Sequence, residues 1–236
     1  MPIVSPEAGH LIVLNLFSTD TPEKQERLLN AMREIVDSAA YEGWISSTMH
    51  AGIDEYGTAN FIQWRSGEDL EARYSGEEFR HRTVPLFRDI TTSIQLLQNE
   101  VRSTRRHPSY GPETEISPAR DDHTVIEVFG VAEADQDDLV AALSGQDWLL
   151  QTPGYRSHTV LAGTRAQGFD GAFVAVYAQW ADKASYDAYR EQPEDQQPGD
   201  RQKLNARLDS LATSREWNSY RAVHSRSAAS AAAPAK

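Results

Sequence analysis

The chain has 236 residues, enough for one large domain or two small ones at about 150 residues per domain. Its composition, 39% hydrophobic and 25% charged, is that of a globular protein and excludes wholesale disorder. The net charge of −12 argues against nucleic acid or an anionic membrane as the main partner. The absence of cysteine excludes disulfides, thiolate catalysis and cysteine-based metal sites. The apolar run at 11–17 is too short for a membrane span or a signal peptide, so we expect a cytoplasmic protein.

The first hundred residues predict the order strand, helix, strand, strand, helix, strand. Apolar and β-branched runs predict the strands, and a capping Thr or Ser followed by acidic residues predicts each helix start. In chain order the elements are a strand at Leu11–Ser18, a helix opening at Thr21–Glu23, strands at Trp44–His50 and Ala59–Trp64, a helix from Ser66–Asp69 and a strand at Ile94–Val101. This order is that of the ferredoxin-like unit, βαββαβ.

The same pattern recurs in the second half of the chain. Glu42–Gly52 (EGWISSTMHAG) aligns with Pro153–Gly163 (PGYRSHTVLAG), and Gln63–Trp64 aligns with Gln179–Trp180. Matches in the same order at both ends extend the repeat: 10–14 with 123–127, and 92–93 with 213–214. A repeat of this length predicts two copies of one module.

The copies are predicted at 8–102 and 122–226, joined by a proline-containing linker at 103–121 and followed by a disordered tail at 227–236. Each ferredoxin-like sheet carries helices on one face and leaves the other face bare. Two copies in one chain can bury these bare faces against each other. We therefore expect an α+β fold in which the modules pack sheet to sheet as a pseudo-dimeric α+β barrel, with a further homodimer left open.

Residues 43–64, GWISSTMHAGIDEYGTANFIQW, resemble the antibiotic biosynthesis monooxygenase (ABM) family. The likeness rests on the GW–x–S–x–T opening, on His50–Ala51, and on Asn60 ahead of Gln63–Trp64. Members of this family are dimeric α+β barrels, and some oxidise polyketide anthrones to quinones with no metal or flavin. The resemblance therefore implies a cofactor-independent oxygenase that uses dioxygen on an aromatic polyketide in antibiotic or other secondary-metabolite biosynthesis.

Three residues of the first module are the candidate catalytic residues. Asn60 and Trp64 share one strand face with Ile62, because side chains alternate along a strand. His50 ends the neighbouring strand, and we expect its imidazole to share that face. By resemblance, Asn60 and Trp64 would hold the substrate oxygens and His50 would assist proton movement, for which its ordinary pKa of about 6.5 is suitable.

The match to the family is incomplete on the second helix. The family's Tyr and Arg positions fall here on Leu70 and Val84, so we expect Tyr74 and Arg82 to substitute for them in substrate binding, together with Ile62. In the second module the positions of His50, Asn60 and Ile62 hold aliphatic residues: Leu161, Val176 and Ala178. We therefore interpret this module as structural or divergent, with Trp180 and Tyr186 as candidates if it has a site.

Three alternatives remain open from the sequence. The same fold can serve as a polyketide cyclase or as a ligand-binding module without catalysis. It can also serve as a haem-degrading monooxygenase, for which Asn15 and His81 occupy two of the expected positions, but Arg73 stands where that family carries a Trp. No histidine is spaced with carboxylates as a metal-ligand set, so no metal site is predicted.

Overall fold

The computed structural model describes residues 2–228. In this range the strands are β1 Ile3–Val4, β2 Leu11–Ser18, β3 Trp44–Gly52, β4 Gly57–Trp64, β5 Ser93–Arg106, β6 Thr114–Glu115, β7 His123–Val131, β8 Tyr155–Gln167, β9 Ala172–Trp180 and β10 Ala212–Ser227. The helices are α1 Pro22–Ser38, α2 Gly67–Ser75, α3 Val84–Ile90, α4 Gln136–Ser144, α5 Lys183–Arg190 and α6 Gly199–Leu211. A π-helical turn, Phe79–Thr83, joins α2 to α3.

The first helix begins at the predicted residues. The Thr21 hydroxyl accepts a hydrogen bond from the Lys24 backbone N–H at 3.2 Å, and Pro22 occupies the first helical position. A side-chain cap of this kind satisfies a backbone donor that the helix itself leaves unpaired. The buried face of α1 carries Leu28, Met32 and Val36 at four-residue spacing, which holds the helix against the outer face of the sheet.

Eight strands close into one barrel in the order β10-β3-β4-β2-β5-β8-β9-β7. Each module contributes four adjacent strands, and the long strands join the modules edge to edge: β5 pairs with β8, and β10 pairs with β3. Barrel closure leaves neither module with an open sheet edge. The predicted pseudo-dimeric α+β barrel is confirmed.

The barrel interior is a packed core and not a ligand channel. Alternate residues from both modules point inward, so that Leu14 and Phe61 of the first module meet Phe173 and Tyr177 of the second. The Phe61 and Tyr177 rings lie edge to face with centroids 5.3 Å apart. Two cavities lie outside this core, on the outer face of the sheet beneath the helices.

The segment between the modules is more ordered than the predicted linker at 103–121 suggests. Strand β5 continues through Arg106, and β6 pairs with β1 in a small separate sheet. Equivalent glutamines bind the two strands of that sheet: Gln63 donates to the Ile3 carbonyl, and Gln179 donates to the Glu115 carbonyl, each at 2.9 Å. The repeat is thus visible in the hydrogen bonding. Of the predicted tail, all but residues 227 and 228 lies outside the described residues.

Strand pairing corrects the predicted alignment at the front of the repeat. Leu11 pairs with Trp64, and His123 pairs with Trp180, so that Leu11 and not His10 corresponds to His123. A shift of one residue moves every side chain of a strand to the other face. With the corrected register, Asn15 of the first module corresponds to Glu127 of the second.

Candidate active site

A narrow cavity lies between the outer face of β2, β3 and β4 and the helices α1, α2 and α3. Asn60, Ile62 and Trp64 all line it, as their alternation along β4 predicts. Asn15 on β2 pairs directly with Asn60 and presents a second amide to the same cavity. Most of the remaining lining is apolar or aromatic. The enclosed volume is about 70 Å³.

A β-bulge brings two residues of β3 to this cavity. The register of β3 against β4 shifts between Trp44 and Ser46, and both Trp44 and Ser47 line the cavity. In a regular strand, residues three apart point to opposite faces, and the extra residue of a bulge removes that opposition. The Trp44 indole N–H donates to the Ser47 hydroxyl at 3.0 Å, which fixes both side chains.

Several buried polar atoms of this cavity have no hydrogen-bond partner. They include Oδ1 of Asn15, Oδ1 of Asn60 and Nε1 of Trp64. The Tyr74 hydroxyl lies near Asn15 without a hydrogen bond of regular geometry; burial raises the pKa of Tyr74 to about 12, and the Asn15 amide opposes part of that rise. Unpaired buried polar groups cost free energy unless a ligand or water satisfies them. The group is therefore suited to hold oxygen atoms of a bound molecule.

Arg82, predicted to bind substrate, is exposed on the π-helical turn and does not line the cavity. Arg73 lines the cavity instead, with its guanidinium carbon 4.1 Å from the centre of the Tyr41 ring. His81, considered as an iron ligand, is exposed and pairs with Glu77 at 3.2 Å.

His50 lies on the opposite face of the sheet from Asn60, so the predicted grouping of three catalytic residues is wrong. His50 pairs with Ala59, and antiparallel partners share a face, which places the imidazole inside the barrel. The Ala59 carbonyl can only accept, so Nδ1–H donates to it at 3.3 Å and Nε2 accepts from the Tyr177 hydroxyl at 2.8 Å. Burial lowers the pKa of His50 to about 4. This neutral, fully bonded imidazole belongs to the core.

The second module has a cavity in the corresponding place, and it is much larger. It encloses about 670 Å³ between the outer face of β7, β8 and β9 and the helices α4, α5 and α6. Both second-module candidates, Trp180 and Tyr186, line it, with ring centroids 5.6 Å apart. Tyr155, Tyr189 and Trp217 extend this aromatic wall.

The bulge of the first module recurs in the second module, where it places a buried histidine in the cavity wall. The register of β8 against β9 shifts between Tyr155 and Ser157, and both Tyr155 and His158 line the cavity. His158 stands at the position of Ser47. Its Nδ1 lies 2.9 Å from the Tyr155 hydroxyl, and its Nε2 is buried without a partner. Burial, with a smaller effect of the Arg105 charge, lowers the pKa of His158 to about 4.

A solved structure described as an anthrone oxidase-like protein is 52% identical to this chain, covers 100% of both chains and superimposes with a TM-score of 0.94. The chain belongs to the antibiotic biosynthesis monooxygenase family. Within this ABM family it is a tandem member with two modules in one polypeptide. No protein-family model matches the chain, and no curated protein matches it.

More distant solved structures show the fold alone. A proposed monooxygenase of Fusobacterium nucleatum is 8% identical over 93% of this chain and 94% of its own, with a TM-score of 0.60. A proposed monooxygenase of Lactobacillus acidophilus is 13% identical over 90% of this chain and 93% of its own, with a TM-score of 0.53. Both confirm that the duplicated barrel is a recurring architecture.

The sequence analysis missed several residues of the two cavities. The pairing of Asn15 with Asn60 depends on the antiparallel register of β2 and β4, which are not consecutive in the chain, so no local signal in the sequence predicts it. The positions of Ser47 and His158 depend on bulges, which leave no mark in the hydrophobic pattern. Among residues 2–228, no cluster of His, Asp and Glu could hold a metal ion, and no helix is long and apolar enough to cross a membrane.

Proposed function

We propose that this ABM-family protein is a cofactor-independent monooxygenase that oxidises an anthrone-like aromatic polyketide to a quinone with dioxygen. The observation that carries the proposal is the set of unpartnered polar atoms on Asn15, Asn60 and Trp64 inside an aromatic cavity. An apolar pocket with a few convergent polar groups is the usual form of a small-molecule site. The 52% identity to a protein described as anthrone oxidase-like supports the substrate class.

The reaction requires little from the protein. An anthrone loses a proton from its methylene carbon to water, and the resulting enolate transfers an electron to dioxygen. Recombination at that carbon gives a peroxide, which loses water to leave a carbonyl group. One oxygen atom of dioxygen enters the quinone and the other leaves as water, so no external reductant is needed.

The first cavity supplies hydrogen bonds to the oxygens that become negative. The Trp64 indole N–H donates to the enolate oxygen, while the amides of Asn60 and Asn15 hold the phenolic groups. A donor aimed at a developing oxyanion contributes about 2.7–4 kcal/mol in enzymes where it has been removed. Tyr74 remains protonated at neutral pH because its pKa is about 12, so its hydroxyl acts as a further donor.

Substrate binding in the first module requires its helical wall to move. The cavity of about 70 Å³ is smaller than the roughly 300–1,000 Å³ typical of ligand pockets. Part of that wall is the π-helical turn Phe79–Thr83. Such turns are irregular and are frequent at functional sites. We expect the displacement of α2 and this turn to accompany binding.

The decisive experiment compares dithranol, a dihydroxyanthrone, with and without oxygen and with no added cofactor. We expect quinone absorbance to appear only in air, faster than in a protein-free blank. Heavy-isotope dioxygen should place one labelled oxygen in the product. Equal conversion of a polyketide substrate without oxygen would indicate a cyclase, and binding without turnover would indicate a ligand-binding module; either result would overturn the proposal.

A further inference from the structure

The second module's cavity has the size and lining of a ligand site. Its volume of about 670 Å³ is within the roughly 300–1,000 Å³ typical of such sites. Aromatic rings form one wall, including Trp180, Tyr186 and Trp217. Its charged residues balance, three of each sign: Arg190, Arg201 and Arg215 against Glu127, Glu194 and Asp209. This lining is suited to an uncharged polycyclic aromatic molecule.

Hydrogen bonding fixes the tautomer of the buried imidazole in this cavity. The Tyr155 hydroxyl donates its one hydrogen to the Arg105 carbonyl at 3.0 Å, since a carbonyl can only accept. The hydroxyl oxygen must then accept from His158 Nδ1–H at 2.9 Å. Nε2 is left with a free lone pair, and His158 is 1% exposed. A neutral imidazole held in this way is arranged as a proton acceptor.

Two unpaired hydrogen-bond donors line the same cavity as the His158 imidazole. Trp180 Nε1 is buried without a partner, as is Arg201 Nε, and both residues line the same cavity as His158. Burial lowers the pKa of His158, and a hydrogen bond from the protonated ring to the Leu143 carbonyl opposes part of that lowering. The cavity thus combines one unpaired acceptor with two unpaired donors.

We infer that the second module is a catalytic site in its own right, in which His158 Nε2 removes the methylene proton of a hydroxylated polycyclic anthrone. This inference rests on the proposed function for its substrate class. The C–H bond breaks, the proton goes to Nε2, and the electron pair moves to the ring carbonyl, whose oxygen becomes an enolate. Trp180 Nε1–H donates to that oxygen. Dioxygen then oxidises the enolate as in the proposed reaction.

The first module has no equivalent acceptor. Ser47 stands at the position of His158, and its hydroxyl already accepts from the Trp44 indole. His50 is inside the barrel with both ring nitrogens bonded. Proton removal that depends on a histidine therefore distinguishes the second cavity from the first.

Anaerobic hydrogen exchange tests this assignment without requiring oxygenation. The full chain and dithranol are mixed in deuterated buffer under argon, and deuterium at the methylene carbon is measured by mass spectrometry against a protein-free blank. In a Trp64→Phe background, which weakens the contribution of the first cavity, we expect His158→Asn to lower the remaining protein-dependent exchange rate by about 100-fold, because a positioned base contributes at least that factor. Asparagine retains a donor towards Tyr155. His224→Asn, the same substitution at a histidine that lines neither cavity, should leave exchange unchanged.

Ala178→Ile provides an independent variant, since it places the first module's residue in the wall of the second cavity. We expect it to raise the dithranol concentration needed for half-maximal exchange, with thermal unfolding confirming that the variant is folded. Exchange no faster than the blank, or equal exchange with and without His158→Asn in the Trp64→Phe background, would overturn the inference. Exchange that depends on His158 but yields no quinone in air would instead overturn the proposed function and leave this site standing.

Discussion

The two cavities occupy equivalent places beneath one repeated sheet, yet their chemistry differs. Both retain the tryptophan that ends the third strand of the module, Trp64 or Trp180. The first cavity adds two amides in about 70 Å³, whereas the second adds an imidazole in about 670 Å³. The module that carries the family motif thus has the smaller cavity. Duplication within one chain allowed each copy to change separately, while the shared barrel held both in place.

The largest expected effect concerns the tryptophan of the first cavity. In a His158→Asn background, which silences the second site, Trp64→Phe removes the indole donor and should lower the rate of quinone formation from dithranol by about 100-fold. The measurement is quinone absorbance in air. Trp148→Phe is the control, since Trp148 is absent from the lining of both cavities. Similar losses in the two variants would count against the first cavity.

Acid should destabilise the protein through the two most deeply buried imidazoles, those of His50 and His158. Burial lowers the pKa of His50 and of His158 to about 4, whereas each has a pKa of about 6.5 when unfolded. The unfolded chain therefore takes up protons first as the pH falls, and stability is lost between pH 6.5 and about 4. Each histidine should lower the free energy of unfolding by about 2 kcal/mol between pH 7 and 5.

Urea denaturation at both pH values checks this expectation. His158→Asn should roughly halve the loss in free energy of unfolding between pH 7 and 5. The loss that His50 causes should remain. An unchanged loss would mean that the pKa of His158 is the same in the folded and the unfolded chain, which would contradict the effect of burial on this imidazole.

His50 should matter for stability and not for turnover. His50→Leu introduces the residue that the second module carries at Leu161, and it removes the acceptor of the Tyr177 hydroxyl, which then keeps only Thr124 at 3.3 Å. A buried hydroxyl that loses its partner costs about 1–3 kcal/mol. Urea denaturation measures this loss, and quinone formation should be unchanged. A variant that unfolds normally but is inactive would restore His50 to the active site.

The smallest expected effect distinguishes Arg73, which lines the first cavity, from Arg82, which is exposed. Arg73→Ala removes a guanidinium that stacks on Tyr41, and it should lower the stability by about 1 kcal/mol and weaken dithranol binding. Arg82→Ala alters an exposed side chain and should change neither quantity. Thermal unfolding and fluorescence titration with dithranol compare them. Equal behaviour of the two variants would contradict the placement of Arg73 in the cavity wall.

Much of the architecture could be predicted from periodicity and repetition. The alternation in β4 correctly places Asn60, Ile62 and Trp64 on one face, because that pattern depends only on strand geometry. The location of His50 could not be predicted in this way. It depends on how β3 aligns with β4, and strand register is set by the turn and by a bulge between Trp44 and Ser46.

The sequence by itself determined that the chain is a duplicated βαββαβ unit and that Trp64 and Trp180 are equivalent, since these features reside in local spacing. The tertiary structure alone decided which histidine faces a cavity. His50 and His158 are three residues apart when their modules are aligned, yet one is enclosed in the barrel and the other lies beneath the helices. The physical reason is that positions three apart on a strand face opposite sides of the sheet, whereas which of the two sides becomes the barrel interior depends on how the strands pair.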